Sequence, residues 1–181
     1  GPDVLLPEWI KTMAKDSIVF ACANPIPEIW PWVAKEAGAA VVATGRSDFP
    51  NQVNNSLGFP GIFRGTLDVR AQTITDEMCF AAAQAMANHV GDRLAPDFIL
   101  PNMDDWEVFP KEAASVAIKA IEQGLARIET TYDQEFQRAS RIIKRSRDMT
   151  KRMMEEGFIP EPPEDDGMAR EVDLETIKAA Y

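Results

Sequence analysis

Histidine and cysteine are scarce in this chain: His89 stands alone, and Cys22 and Cys79 are the two cysteines among 181 residues. So few soft donors exclude a disulfide framework and a zinc-finger-like ligand set. Both cysteines sit in apolar surroundings, "VFACANP" and "DEMCFAAA", and read as buried thiols of a cytoplasmic, reduced protein. No apolar run approaches the roughly 18 to 20 residues of a membrane-crossing helix. No secretory pattern opens the sequence, and Gly1-Pro2 reads equally as a protease scar or as the middle of a longer chain. Positive charge is short as well, with 19 Lys and Arg against 29 Asp and Glu for a net charge of −10. That balance argues against a surface built to neutralise nucleic-acid phosphates, though a local basic patch stays open. The phosphate-binding order G-x-G-x-x-G is missing too.

What is present is an ordinary globular composition, 45% apolar and 27% charged, enough for one domain or one domain with an appendage. "LPEWIKTMAKD" starts a helix at Pro7, with Trp9, Ile10 and Met13 on one face. "SIVFACA" (17–23) and "AAVVATG" (39–45) are short apolar runs without alternation, expected of parallel strands covered on both faces. Between them "NPIPEIWP" is a rigid loop and a short helix runs to Gly38, giving a strand, helix, strand unit with a right-handed crossover. "TDEMCFAAAQAMANHV" is a helix capped by Thr75 with Asp76 and Glu77 in its first turn. "DFILP" reads as one more short extended piece, and "FPKEAASVAIKAIEQGLA" as a helix from Pro110 to near Gly124.

From Asp133 to about Glu156 a long helix carries seven basic residues, Arg138, Arg141, Lys144, Arg145, Arg147, Lys151 and Arg152, and places Phe136, Ala139, Ile143 and Met153 on one stripe. An acidic, proline-rich linker and a last short helix, "VDLETIKAAY", follow. Two or three strands leave both edges of a parallel sheet unpaired, so the chain reads as the second half of a larger fold.

The stretch "FPNQVNNSLGFPGIFRG" (49–65) gathers amides. Asn24 follows the first strand and Gly45 the second, and ligands of open α/β sheets bind outside the carboxyl ends of strands. Pro25 and Pro27 restrict the backbone beyond Asn24. Asn54 and Asn55 fall at a helix start, where unpaired N–H groups favour an anion. A carboxamide donates and accepts without charge, which suits a hydroxyl, carboxylate or carboxamide ligand. The same asparagines serve equally well as helix caps and turn residues.

"ANPIPEI" and "VVATGRSDFPNQVNNSLGFPGIFRGTLDVRA", with "GPDVL" before them and "LAPDFILP" after, resemble the C-terminal half of the NAD(P)-binding domain of bacterial and archaeal malic enzymes. The resemblance covers residues 1–128; 129–157 form a basic helical extension and 158–181 an acidic Pro-rich linker with a short terminal helix. It implies an α/β fold, a partial Rossmann-like doubly wound parallel sheet followed by C-terminal helices. It implies oxidative decarboxylation of L-malate to pyruvate and CO2 with NAD or NADP and Mg²⁺ or Mn²⁺. By the same resemblance Asn24 and Asn55 hold the substrate, and Asn24, Pro25, Gly45, Asn54 and Asn55 lie along the cofactor. The family's catalytic tyrosine and lysine, its metal ligands and its phosphate-binding glycines match nothing here. No catalytic or metal residue is therefore assigned, and the chain alone is expected to be inactive. Its expected partners are the rest of such an enzyme and further copies of itself, with neither nucleic acid nor membrane.

Other signals are plainer. His89 near a helix end reads as closing that helix or facing solvent. Arg46 and Asp48 either pair and shape their loop or touch the ligand, and Arg64 and Arg70 pin their helix. The basic helix is neutralised by the acidic residues 161–175, is solvated, or binds a polyanion. Beside the malic enzyme reading stands one of another class: a non-catalytic nucleotide- or organic-acid-binding assembly module built on the same fold.

Overall fold

A computed structural model describes residue 1 and residues 4–160. Two compact units divide the chain, Gly1–Ile142 and Ile143–Tyr181. The first unit is mixed α/β. Helix α1, Pro7–Ile10, leads to strand β1, Ile18–Ala21; helix α2, Pro31–Glu36, connects it to strand β2, Val41–Thr44. The strands pair in parallel, with Ile18 opposite Val41 and Ala21 opposite Thr44. Val19, Ala21 and Val42 pack with Ile10, Ile29 and Ala34 into one apolar cluster.

Helices α3 (Asn55–Asp68), α4 (Asp76–Val90) and α5 (Val108–Glu122) form the rest of this unit, with the start of α6 (Tyr132–Glu155). Their cap chemistry is local. The Asn54 side chain accepts from the Ser56 N–H at the head of α3, and Thr75 accepts from the Met78 N–H at the head of α4, each satisfying a donor that the first turn leaves unpaired. Past the end of α5, Gly124 takes φ +68, a conformation glycine adopts without steric penalty. Val69, Met78, Ala82, Val116, Ala117 and Ala120 make the second apolar cluster. Gly61 and Gly65 let α5 approach α3 closely: a Cβ on Gly65 would lie 2.3 Å from the Ala113 carbonyl oxygen.

In the second unit the described residues continue α6 and end it at Gly157, φ +76. The N–H groups of Gly157 and Ile159 donate to the carbonyls of Met154 and Met153. Residues 144–158 are all exposed. The expected helix "VDLETIKAAY" and the acidic stretch 161–175 lie outside the described residues.

Several expectations need correcting. Strand β1 is covered on one face only: Val19 and Ala21 are buried, while Ile18 and Phe20 are 57% and 54% exposed. Cys22 follows on the same alternation and is exposed, and Cys79 is half-buried, so neither is a fully buried thiol. Helix α1 is a single turn, which buries Ile10 and leaves Trp9 and Met13 exposed. "DFILP" forms no strand; one antiparallel bridge joins Ala95 and Phe98.

Candidate functional site

Both strands end at the same side of the molecule, as parallel pairing demands, and the loops that follow them meet there. A cleft of ≈ 440 Å³ is lined by Asn24 and Pro25 from the loop after β1 and by Gly45, Arg46, Ser47, Asp48, Gln52 and Asn54 from the loop after β2. Glycine at 45 has a steric cause, because a Cβ there would lie 3.1 Å from the Cys22 carbonyl oxygen. The second loop is closed at its base, where the Val53 N–H donates to the Thr44 carbonyl at 2.7 Å. The Asn24-Pro25 peptide is cis.

An adjoining hollow of ≈ 340 Å³ opens at the head of α3. Asn54 and Asn55 line it with Gly58, Phe59, Met86 and Leu100. Four of the expected site residues, Asn24, Pro25, Gly45 and Asn54, thus share one cleft, and Asn55 faces the next. Asn54 lines both.

The amides of this region divide by employment. Asn51, 6% exposed and at φ +57, donates to the Val42 carbonyl at 3.1 Å and the Pro96 carbonyl at 2.8 Å, and accepts from the Ile99 N–H at 2.8 Å. It anchors the 94–100 segment to β2, a structural role that residue type alone did not single out. Asn54 Oδ1 is engaged by the Ser56 N–H and hydroxyl at 3.0 and 2.6 Å. Among the described residues the Asn24 and Asn55 side chains make no hydrogen bond. Of these four asparagines two are spent on the fold and two remain available, as does Gln52 of the same cleft.

Arg46 and Asp48 pair with each other, at 2.8 Å from Nε and 2.6 Å from Nη2. That hydrogen bond holds the Asp48 carboxyl below its ordinary range. The Arg46 Nη1 donates to the Pro25 carbonyl at 2.8 Å. Within the first loop the Ala23 N–H donates to the Glu28 carboxylate at 3.0 Å. Burial acts to raise that carboxyl, yet the Ala23 hydrogen bond and its fellows lower it on balance.

His89 neither faces solvent nor simply closes its helix. Its ring is 5% exposed, with Nε2 2.7 Å from Asp105 and Nδ1 2.9 Å from the Lys111 ammonium. A lysine that donates to Nδ1 leaves Nε2 to donate to the carboxylate, and the trio fastens the 102–108 segment to α4. Arg64 pairs with Asp68 inside α3, whereas Arg70 is exposed at φ +50. Among the described residues no three His, Cys, Asp or Glu side chains converge as metal ligands. No described helix is long and apolar enough to cross a membrane.

The family model for the NAD-binding domain of malic enzyme matches residues 8–123. The chain belongs to the malic enzyme family. It is 58% identical over 125 residues to the bifunctional malic/malolactic enzyme of Bacillus subtilis, a match covering 68% of this chain and 30% of that protein. To the NAD-dependent malic enzyme of Geobacillus stearothermophilus it is 50% identical over 128 residues, covering 70% of this chain and 27% of that one. The crystal structure of Entamoeba histolytica malic enzyme superposes with a TM-score of 0.86 at 51% identity, over 90% of this chain and 34% of its own. The chain spans about a third of the length of these three malic enzymes.

Proposed function

We propose that this chain supplies one wall of a malic enzyme active site, in which L-malate and NAD(P)⁺ give pyruvate, CO2 and NAD(P)H. One observation carries the reading: Asn24 and Asn55, asparagines whose side chains make no hydrogen bond among the described residues, line adjoining hollows where the parallel strands end. In this reading Asn24 and Asn55 grip malate. Pro25, Gly45 and Asn54 present backbone and side chain to the nicotinamide half of the cofactor, which takes up the C2 hydride when bound. The sheet is the second half of a doubly wound Rossmann-like sheet whose remaining strands belong to other parts of the enzyme.

The amides act by orientation. A carboxamide donates to a carboxylate and accepts from a hydroxyl at any working pH, so it keeps C2 facing the redox ring while C3 bears the leaving carboxylate. No residue of this chain is assigned the proton transfers. A divalent ion, Mg²⁺ or Mn²⁺, would be held elsewhere. The working protein is a cytoplasmic homo-oligomer of complete enzyme chains.

The test is malate-dependent NAD(P)H formation by this chain alone and by the chain mixed with the upstream part of a malic enzyme. Alone it is expected to be inactive, and mixing restores turnover. Asn24→Ala or Asn55→Ala then lowers kcat/KM by about 10- to 100-fold, the worth of a hydrogen bond to a charged group. Turnover that both substitutions leave untouched refutes the assignment.

A further inference from the structure

Arg46 stands between the two loops that shape the cleft. Its Nε and Nη2 grip the Asp48 carboxylate and its Nη1 reaches across to the Pro25 carbonyl at 2.8 Å, 21 residues away in sequence. Two neighbouring aromatic rings lie beside it, their centres 6.2 Å apart. The guanidinium carbon is 5.4 Å from the Trp30 ring centre and 5.7 Å from that of Phe49, and Trp30 stacks on Trp32 at 4.8 Å. The same side chain therefore touches the loop after β1, the head of α2 and the loop after β2.

We propose that Arg46 is a positioning residue for Asn24: it fixes the carbonyl of the next residue, Pro25, and so sets how the Asn24 amide meets its ligand. The proposal rests on the malic enzyme reading of the cleft. Only a planar fork performs this task, because the carboxylate, the carbonyl and the rings must be met in one rigid geometry. A lysine ammonium keeps the charge but cannot span carboxylate and carbonyl with a planar, forked set of donors. Nor does Asn24 have a side-chain bond of its own among the described residues to fix it. Its aim depends on its loop, and that loop is braced internally by Glu28, which accepts from the N–H groups of Ala23 and Leu5.

The experiment uses the full-length enzyme that carries this segment, with Arg46→Lys, Arg46→Ala, Asn24→Ala and the Arg46→Ala/Asn24→Ala pair. Both Arg46 variants are expected to raise KM for malate by about 10-fold with a smaller change in kcat, as loss of pre-organisation does. In the Asn24→Ala background the Arg46→Ala effect should shrink to less than about 2-fold, the signature of two residues acting as one unit. Hydrogen exchange of the same proteins should show the Leu5 and Ala23 amides exchanging faster in both Arg46 variants and the α5 amides unchanged. Single effects that multiply in the double variant, or Arg46→Lys matching the parent, overturn the proposal. An inactive parent enzyme refutes the function instead, and the exchange data still decide: unaltered Leu5 and Ala23 amides sink the role of Arg46.

Discussion

Glu112 is a carboxyl buried between helices. It is 0% exposed, both its oxygens lack a hydrogen bond among the described residues, and it presses on Gly61 across the α3–α5 contact. Burial pushes its pKa to about 9. Glu135, 1% exposed on α6, is raised by burial and then by its hydrogen bond to Asp68 and that neighbour's charge, against the pull of Arg138 and Arg64. Asp68 is itself buried and paired with both arginines, Arg138 at 3.3 Å. A carboxyl whose pKa is higher folded than unfolded keeps its proton in the native state after the unfolded chain has lost it. Its contribution to stability falls as pH rises from the ordinary carboxylate range toward the folded value, by up to about 1.4 kcal/mol per pH unit for each group. Urea midpoints should therefore drop between pH 6 and pH 8, and Glu112→Gln should make the decline shallower. A midpoint that holds steady or climbs over that interval contradicts the protonated assignment.

At the scale of elements, the α3–α5 contact depends on small residues. A methyl group on Gly65 would meet the Ala113 carbonyl at 2.3 Å and Val116 Cβ at 2.9 Å, so Gly65→Ala should cost about 1 to 3 kcal/mol through overpacking. Thr75→Ala removes the α4 cap and should cost about 1 kcal/mol. Thermal melts of the two variants check both, and Gly65→Ala melting with the parent would show that the helices separate without penalty. Signals of this local kind were legible in the sequence. Thr75 before an apolar period, Asn54 and Asn55 at a helix start, Pro110 near the head of α5 and the two apolar runs gave their elements correctly. What escaped notice is tertiary. Nothing around Glu112 or Glu135 marks them as buried, and Asn51 bonds to Pro96 and Ile99 only once β2 brings those segments together. An apolar run without alternation could not reveal that one face of β1 would stay open.

On the scale of the whole molecule, the cleft was half legible: the resemblance picked out its amides, and the coordinates separate those spent on caps and anchors from those left over. The sheet tells the other half. Two strands leave Ile18 and Phe20 bare in a chain that spans about a third of the Bacillus subtilis and Entamoeba histolytica enzymes, and apolar area of this kind marks a surface meant to be covered. The isolated chain should brighten a hydrophobic dye such as ANS. Ile18→Lys with Phe20→Lys should dim it, as should adding the upstream part of a malic enzyme; a dye signal indifferent to both would place the sticky area elsewhere. Cys22 protrudes on that same side of β1. Nature has thus left a sulfur atom on the unfinished wall, and the speed with which an alkylating tag finds it becomes a gauge of how much of the building stands around it.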